Sequence, residues 1–292
     1  MTTEPSVPFP IPRDSDGEAL FRPKLSCVLY TDYAPGPQRA RRVFDLYDRL
    51  FGGFIRCYQP TSWMGPALEW DAAARAGFPA RLALLQQGVN WGYALADDPI
   101  DAGHLFMFHG YKPATEAGKA SFFRFEWPRE TDPGLIESFV LALAESVPFL
   151  SGTAGFIIKP KAFEPDAYDA MYGIARRYWG AEAWNLDVTV NHMLAGYKCP
   201  SWLTLIGERL LVRLGRALPD GAHELASSCQ HGTVYKARPA PEWLDHHRTD
   251  AFDGERAIAA ALSPLQVTHH EPFGGPAWTP EATMEWLRRF AP

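Results

Sequence analysis

Ser121-Phe122-Phe123-Arg124-Phe125-Glu126-Trp127 is the stretch whose reading decides the fold. Successive side chains of a strand point to opposite faces, so Phe123, Phe125 and Trp127 share one side while Arg124 and Glu126 share the other. That alternation predicts a half-buried strand, with one face on a core and one toward water. Val89–Ala96 and His104–Tyr111 precede it as two more strand candidates. The polar turns between the three runs suggest an antiparallel meander.

Working outward, Leu25–Tyr30 alternates with β-friendly residues and reads as a strand. Arg39–Phe51 is a helix, since Val43, Leu46, Tyr47, Leu50 and Phe51 recur at three- and four-residue spacing and Gly52-Gly53 stops it. Arg39, Arg41 and Arg42 lie outside that stripe, as a solvated face would. A short helix is expected at Ala72–Ala76. Asp132-Pro133 opens a helix that runs to Ser146, with Asp as cap and Pro in the first turn. Strands are expected at Gly155–Lys159, Trp202–Ile206 and residues 231–237. Helices are expected at Asp166–Tyr178, Glu208–Leu214, Glu255–Leu262 and from Thr279-Pro280-Glu281 onward. Strict strand–helix alternation is absent. The order predicts an α+β fold: a largely antiparallel mixed sheet with helices packed on one side. A weak internal duplication is a further expectation, pairing Phe44–Phe51 and Trp91 with Tyr168–Tyr178 and Trp202. Residues 1–24, with Pro5, Pro8, Pro10, Pro12 and Pro23, read as a Pro-rich N-terminal arm, and 25–292 as one domain.

Composition narrows the function classes. The chain has 292 residues and a formal charge of −6, with 47 % hydrophobic and 13 % aromatic residues. It is too apolar for a disordered chain and has no apolar run long enough for a membrane helix. Its start lacks a secretory pattern, and an acidic balance lacks the basic footprint of a nucleic-acid binder. Four scattered cysteines, Cys27, Cys57, Cys199 and Cys229, form no CxxC pair. Reduced thiols in a cytoplasmic protein are the expectation.

No phosphate loop, dinucleotide fingerprint or nucleophile elbow is present. His223-Glu224-Leu225-Ala226-Ser227 misses the zincin pattern because Ser227 stands where the second imidazole is needed. Asp245-His246-His247 and His269-His270-Glu271 carry ligand-type side chains that could converge on a divalent metal. They define the alternative reading, a metal-dependent enzyme. The blander reading is a pair of polar surface connections. His104 and His109 flank an apolar strand and read as packed, hydrogen-bonded histidines, and the Asp187–His192 pair has no nucleophile beside it. Asp97-Asp98-Pro99-Ile100-Asp101 is a compact acidic loop without the spaced oxygens of a calcium site. Such a loop suits a basic protein surface.

Two C-terminal segments carry a family resemblance. Ala195-Gly196-Tyr197-Lys198-Cys199-Pro200-Ser201-Trp202-Leu203-Thr204-Leu205-Ile206-Gly207, continuing to Leu214-Gly215, is one. His231-Gly232-Thr233-Val234-Tyr235-Lys236-Ala237-Arg238-Pro239, followed by Glu255–Leu262 and Pro264-Leu265, is the other. Together they resemble the type VI secretion immunity family for VRR-Nuc effectors. The chain departs from that pattern at Leu244-Asp245-His246, near the family's Gly-Asp, and at Arg216, where the family has a second Gly.

The resemblance implies an immunity-type domain over 25–292. It implies a non-enzymatic antitoxin with no cofactor, which neutralises a secreted toxin, a nuclease effector, by stoichiometric binding. A nuclease groove is basic, so an acidic inhibitor fits it. Asp97, Asp98 and Asp101 are the expected contact loop, with Glu182, Trp184 and Asp187 as a second patch and Trp278 as a further loop ring. Neither direct nucleic-acid binding nor a membrane is expected.

Overall fold

Strand β1 (Phe21–Thr31) is the strip on which the rest of the sheet is laid. In the computed structural model, which describes residues 7–60, 66–85, 90–111, 118–160, 165–215 and 220–291, β1 is followed by α1 (Pro37–Phe51), β2 (Cys57–Gln59), β3 (Leu68–Glu69) and α2 (Ala72–Leu85). The meander β4 (Asn90–Ala96), β5 (Leu105–Tyr111) and β6 (Ser121–Trp127) comes next, then α3 (Pro133–Ser146), β7 (Ser151–Pro160), α4 (Pro165–Arg177), β8 (Ala181–Ala183) and α5 (Leu186–Thr189). The chain ends with β9 (Leu203–Gly207), α6 (Glu208–Leu214), α7 (Asp220–His223), β10 (Ala226–Cys229), β11 (Gly232–Lys236), α8 (Asp253–Leu262) and α9 (Pro280–Leu287). Val89, Arg216 and the first six residues of the arm lie outside the described residues.

One sheet runs β10-β11-β9-β7-β1-β6-β5-β4-β2-β3, every neighbouring pair antiparallel. β8 joins it by parallel pairing with Phe156–Ile158 of β7, just beyond the stretch of β7 that pairs with β9. The α+β class and the antiparallel meander are as the alternation requires. β1 begins at Phe21, inside the expected arm. Pro23 is tolerated there because β6 pairs with β1 only from Leu25 onward. The arm lies along the domain: Phe9 is buried 4.7 Å from the Tyr178 ring, and the Tyr178 hydroxyl donates to the Pro8 carbonyl.

The helices, expected on one side, cover both faces. Helices α1, α2 and α3 close one face, where Phe44, Tyr47, Phe78 and Phe139 pack on Tyr93, Phe106, Phe123, Phe125 and Trp127. Phe125 and Phe139 meet edge to face at 4.7 Å, a preferred ring geometry. Helices α4 and α9 close the other face, where Tyr168, Met171, Trp278 and Trp286 pack with Val28, Tyr30, Phe122 and Ile158. α6 and α8 pack with Tyr197, Ile206 and Tyr235 in a third cluster. The two helices paired by the expected duplication, α1 and α4, therefore lie on opposite faces. β6 is also buried on both sides, so Arg124 and Glu126 do not face water. Their burial creates the ion cluster described next.

A solvent-facing acidic loop beside a buried ion cluster

The β4–β5 connection is built by its own aspartates. Asp97 turns inward: its carboxylate accepts from the Gly103 and His104 amides at 2.8 and 2.9 Å and lies 3.1 Å from His104 Nδ1. Asp98 accepts from the Ile100 and Asp101 amides at 2.8 and 2.7 Å, the local bonding that short acidic side chains supply in turns. Asp101 pairs with Arg22 and lies 3.7 Å from Lys24 Nζ, so its charge is largely compensated. The loop's outermost side chain is Ile100, 92 % exposed. Phe54, half-exposed, stacks face to face on His104 at 4.0 Å. Phe54, His104 and Asp97 are thus linked in one chain of contacts.

Behind the loop, β1, β6 and β7 bring Lys24, Arg124, Glu126 and Lys159 to the same face. Fully buried Glu126 accepts from Arg124 Nε at 2.9 Å and from Lys159 Nζ at 3.2 Å, with Lys24 Nζ at 3.6 Å. Burial alone would raise the Glu126 pKa. The charges of Arg124, Lys159 and Lys24 outweigh it and hold the carboxyl well below its usual range. Burial and the neighbouring Arg124 push Lys159 down to about 8. Arg124 also lies over the Trp184 ring, 4.7 Å from its centre.

Two of the three residues of the second expected patch are buried. Glu182 sits in β8, paired with Lys198 in the interior, and Trp184 is only 9 % exposed in the core under α4. Only Asp187 of that trio is at the surface. Trp278 is buried too, its Nε1 donating to the Tyr168 carbonyl. The reason is topological: β8 enters the sheet beside β7, which turns the segment after it inward.

The alternative metal set does not assemble either. Asp245 is engaged by Arg177 at 2.7 Å and lies 3.6 Å from Arg248, while His246 stacks on Trp179 at 4.4 Å. His247 is exposed. Elsewhere, His270 is buried against Phe273, its Nδ1 donating to the Glu271 carbonyl, with Nε2 3.3 Å from Thr189 Oγ1. Burial pushes its pKa down to about 3, so the ring is neutral and structural. His192 joins this second group rather than the first. Its Nε2 accepts from the Glu271 amide, its ring lies 5.4 Å from that of exposed His269, and the Glu271 side chain accepts from Asn191. Among the described residues no group of three or more His, Cys, Asp or Glu side chains has a metal-holding arrangement. None of their helices is long and apolar enough to cross a membrane.

A family model for type VI immunity for VRR-Nuc (TsiV) matches residues 39–290. The chain belongs to this family. It is therefore an immunity protein of the type VI secretion system. Among solved structures it is similar to the Pseudomonas aeruginosa T6SS protein PA0821, at 16 % identity with a TM-score of 0.74, over 95 % of this chain and 86 % of that one. That likeness is one of fold. No curated protein matches the chain. The segments that carried the family resemblance form the framework of this immunity protein. A Cβ on Gly196 would lie 2.0 Å from the Leu265 carbonyl oxygen, and one on Gly207 would lie 1.8 Å from that of Phe149. Glycine stands at both positions because backbone crosses there.

Sequence reasoning did not single out Ile100 as an exposed apolar side chain, although an isoleucine inside Asp-Asp-Pro-Ile-Asp is a visible anomaly. It also missed the Lys24–Arg124–Glu126–Lys159 cluster. Those residues are far apart in the chain and meet only through strand register.

Proposed function

We propose that this immunity protein silences its VRR-Nuc effector in the cytoplasm by stoichiometric binding, without turnover or cofactor, and that the β4–β5 loop is part of the contact. The observation that carries this reading is Ile100: a large apolar side chain 92 % exposed, next to the carboxylate of Asp98, on a loop already held by aspartate–amide hydrogen bonds. A preordered loop loses little freedom on binding, and an apolar anchor beside negative charge suits the phosphate-gripping surface of a nuclease. Asp98 carries the steering charge, because Asp97 is turned inward and Asp101 is compensated.

The test is effector binding by an Asp98→Lys, Ile100→Glu variant. Removing a central anchor weakens binding by about 2 kcal/mol or more, roughly thirtyfold. Charge reversal at Asp98 lowers the association rate and flattens its dependence on salt. Wild-type affinity and salt dependence in a folded variant would place the contact elsewhere.

A further inference from the structure

Behind the loop lies a cavity of about 360 Å³ whose two walls differ in chemistry. One wall is apolar: Ala94 and Ala96 of β4, with Leu105 and Met107 of β5. Tyr93 and Leu95 of β4 point into the opposite face of the sheet, so Ala94 and Ala96 face this one, and their small size leaves the hollow open. The other wall is charged: Lys24 and Lys159 on neighbouring strands β1 and β7 stand with Arg22 and Arg124. The carboxylates of Asp14, Asp98 and Asp101 also line the cavity. Asp101 is paired with Arg22, and Lys24 Nζ donates to the Ala102 carbonyl. Lys159 Nζ has Glu126 as its carboxylate, but both Glu126 oxygens are shared, one with Arg124 and one with Lys24. The Lys159 side chain, 30 % exposed, is open to solvent.

We infer that this cavity binds a small amphipathic monocarboxylate, its anionic head against the Lys159 and Lys24 ammonium groups and its apolar body along Ala94, Ala96 and Met107. The size is within the range of small-molecule sites, which pair a mostly apolar lining with a few convergent polar groups. A carboxylate can accept from both ammonium groups, and charge-assisted bonds in a partly desolvated hollow are the strong ones. An alkyl or aryl body suits the opposite wall, where Ala94, Ala96, Leu105 and Met107 are apolar and Cys57 and Gln59 lie at its β2 side. Asp98, Ile100 and Asp101 of the β4–β5 loop also line the cavity, so the site adjoins the proposed effector contact, and titration with a carboxylate in the absence of effector tests it separately.

Calorimetric titration of the purified full chain with a carboxylate series tests it. Octanoate is expected to bind more tightly than butyrate, by about fourfold for each added methylene until the hollow is filled. Octanol and octylamine, which lack the anion, are expected to bind at least about tenfold more weakly than octanoate. Ala94→Leu fills the hollow without touching the ion cluster and should abolish octanoate binding while leaving the thermal unfolding cooperative. Lys159→Gln should weaken octanoate but leave octanol unchanged, a distinction that loss of structure cannot produce. Equal binding of octanoate and octanol would overturn the inference. So would wild-type octanoate affinity in the Ala94→Leu variant, or no heat signal up to about 10 mM octanoate, the weak end of specific affinity.

Discussion

Lys198 and Glu182 form an ion pair in the interior, each side chain only 4 % exposed. Burial would push Glu182 toward its neutral acid, and Lys198, with hydrogen bonds from Thr153 and Ser201, reverses that and lowers its pKa. A pair held this deep is expected to punish the loss of one partner more than the loss of both. Lys198→Met should destabilise the fold by about 3–5 kcal/mol, and the double change Lys198→Met, Glu182→Leu by clearly less. Urea unfolding of the two single variants and the double variant measures this. An additive cycle would mean that the pair is not coupled.

The Glu126 cluster makes stability rise with pH in two separate windows, one acidic and one alkaline. Glu126 titrates lower in the folded chain than the ordinary 4.5 of a glutamate. The stability it supplies is present above that value and is lost as pH falls toward its folded pKa. Lys159 is a base whose folded pKa of about 8 lies below the ordinary 10.5. The unfolded chain then binds more protons than the folded one between those values, so stability rises with pH in that window. Glu126→Gln should flatten the acid limb. Lys159→Arg, which keeps the charge but does not titrate, should flatten the alkaline limb. Unfolding free energies from pH 3 to pH 10 read both slopes.

Trp184 and Ile100 should respond in opposite ways. Trp184 is packed under Arg124 and α4, so Trp184→Ala is expected to lower stability by about 3–5 kcal/mol. Ile100 touches the outside, so Ile100→Glu should change stability by no more than about 0.5 kcal/mol while weakening effector binding. Thermal unfolding and effector affinity, measured on both variants, separate a core ring from an exposed side chain proposed to meet the effector.

Gly207 closes β9 against the chain at Phe149, and any side chain there meets backbone oxygen. Gly207→Ala should displace the β9–β7 pairing and destabilise by about 1–3 kcal/mol, the usual range for overpacking. Hydrogen exchange should show the loss first in β9 and β11, because Gly207 pairs with Gly232 across them. Protection unchanged in both strands would mean that the chain crossing at Phe149 can relax.

Much of the molecule was determined by the sequence alone. The alternation in Ser121–Trp127 and the two runs before it establish the antiparallel meander, because a strand's side chains must alternate whatever surrounds them. Asp132 and Thr279 mark helix starts, each capping with its own side chain. Such signals are local: the atoms that decide them lie within a few residues. Tertiary structure alone decided which faces are dry. Arg124 and Glu126 read as a solvent face, yet β1 and β7 bring Lys24 and Lys159 over them and convert the face into a buried ion cluster. Glu182 and Trp184 read as a surface patch, yet β8 pairs with β7 and turns them inward. Asp245 and His270 read as members of one ligand set, yet each is engaged by different neighbours. Burial and proximity depend on strand pairings between residues distant in the chain, and no local pattern encodes those pairings.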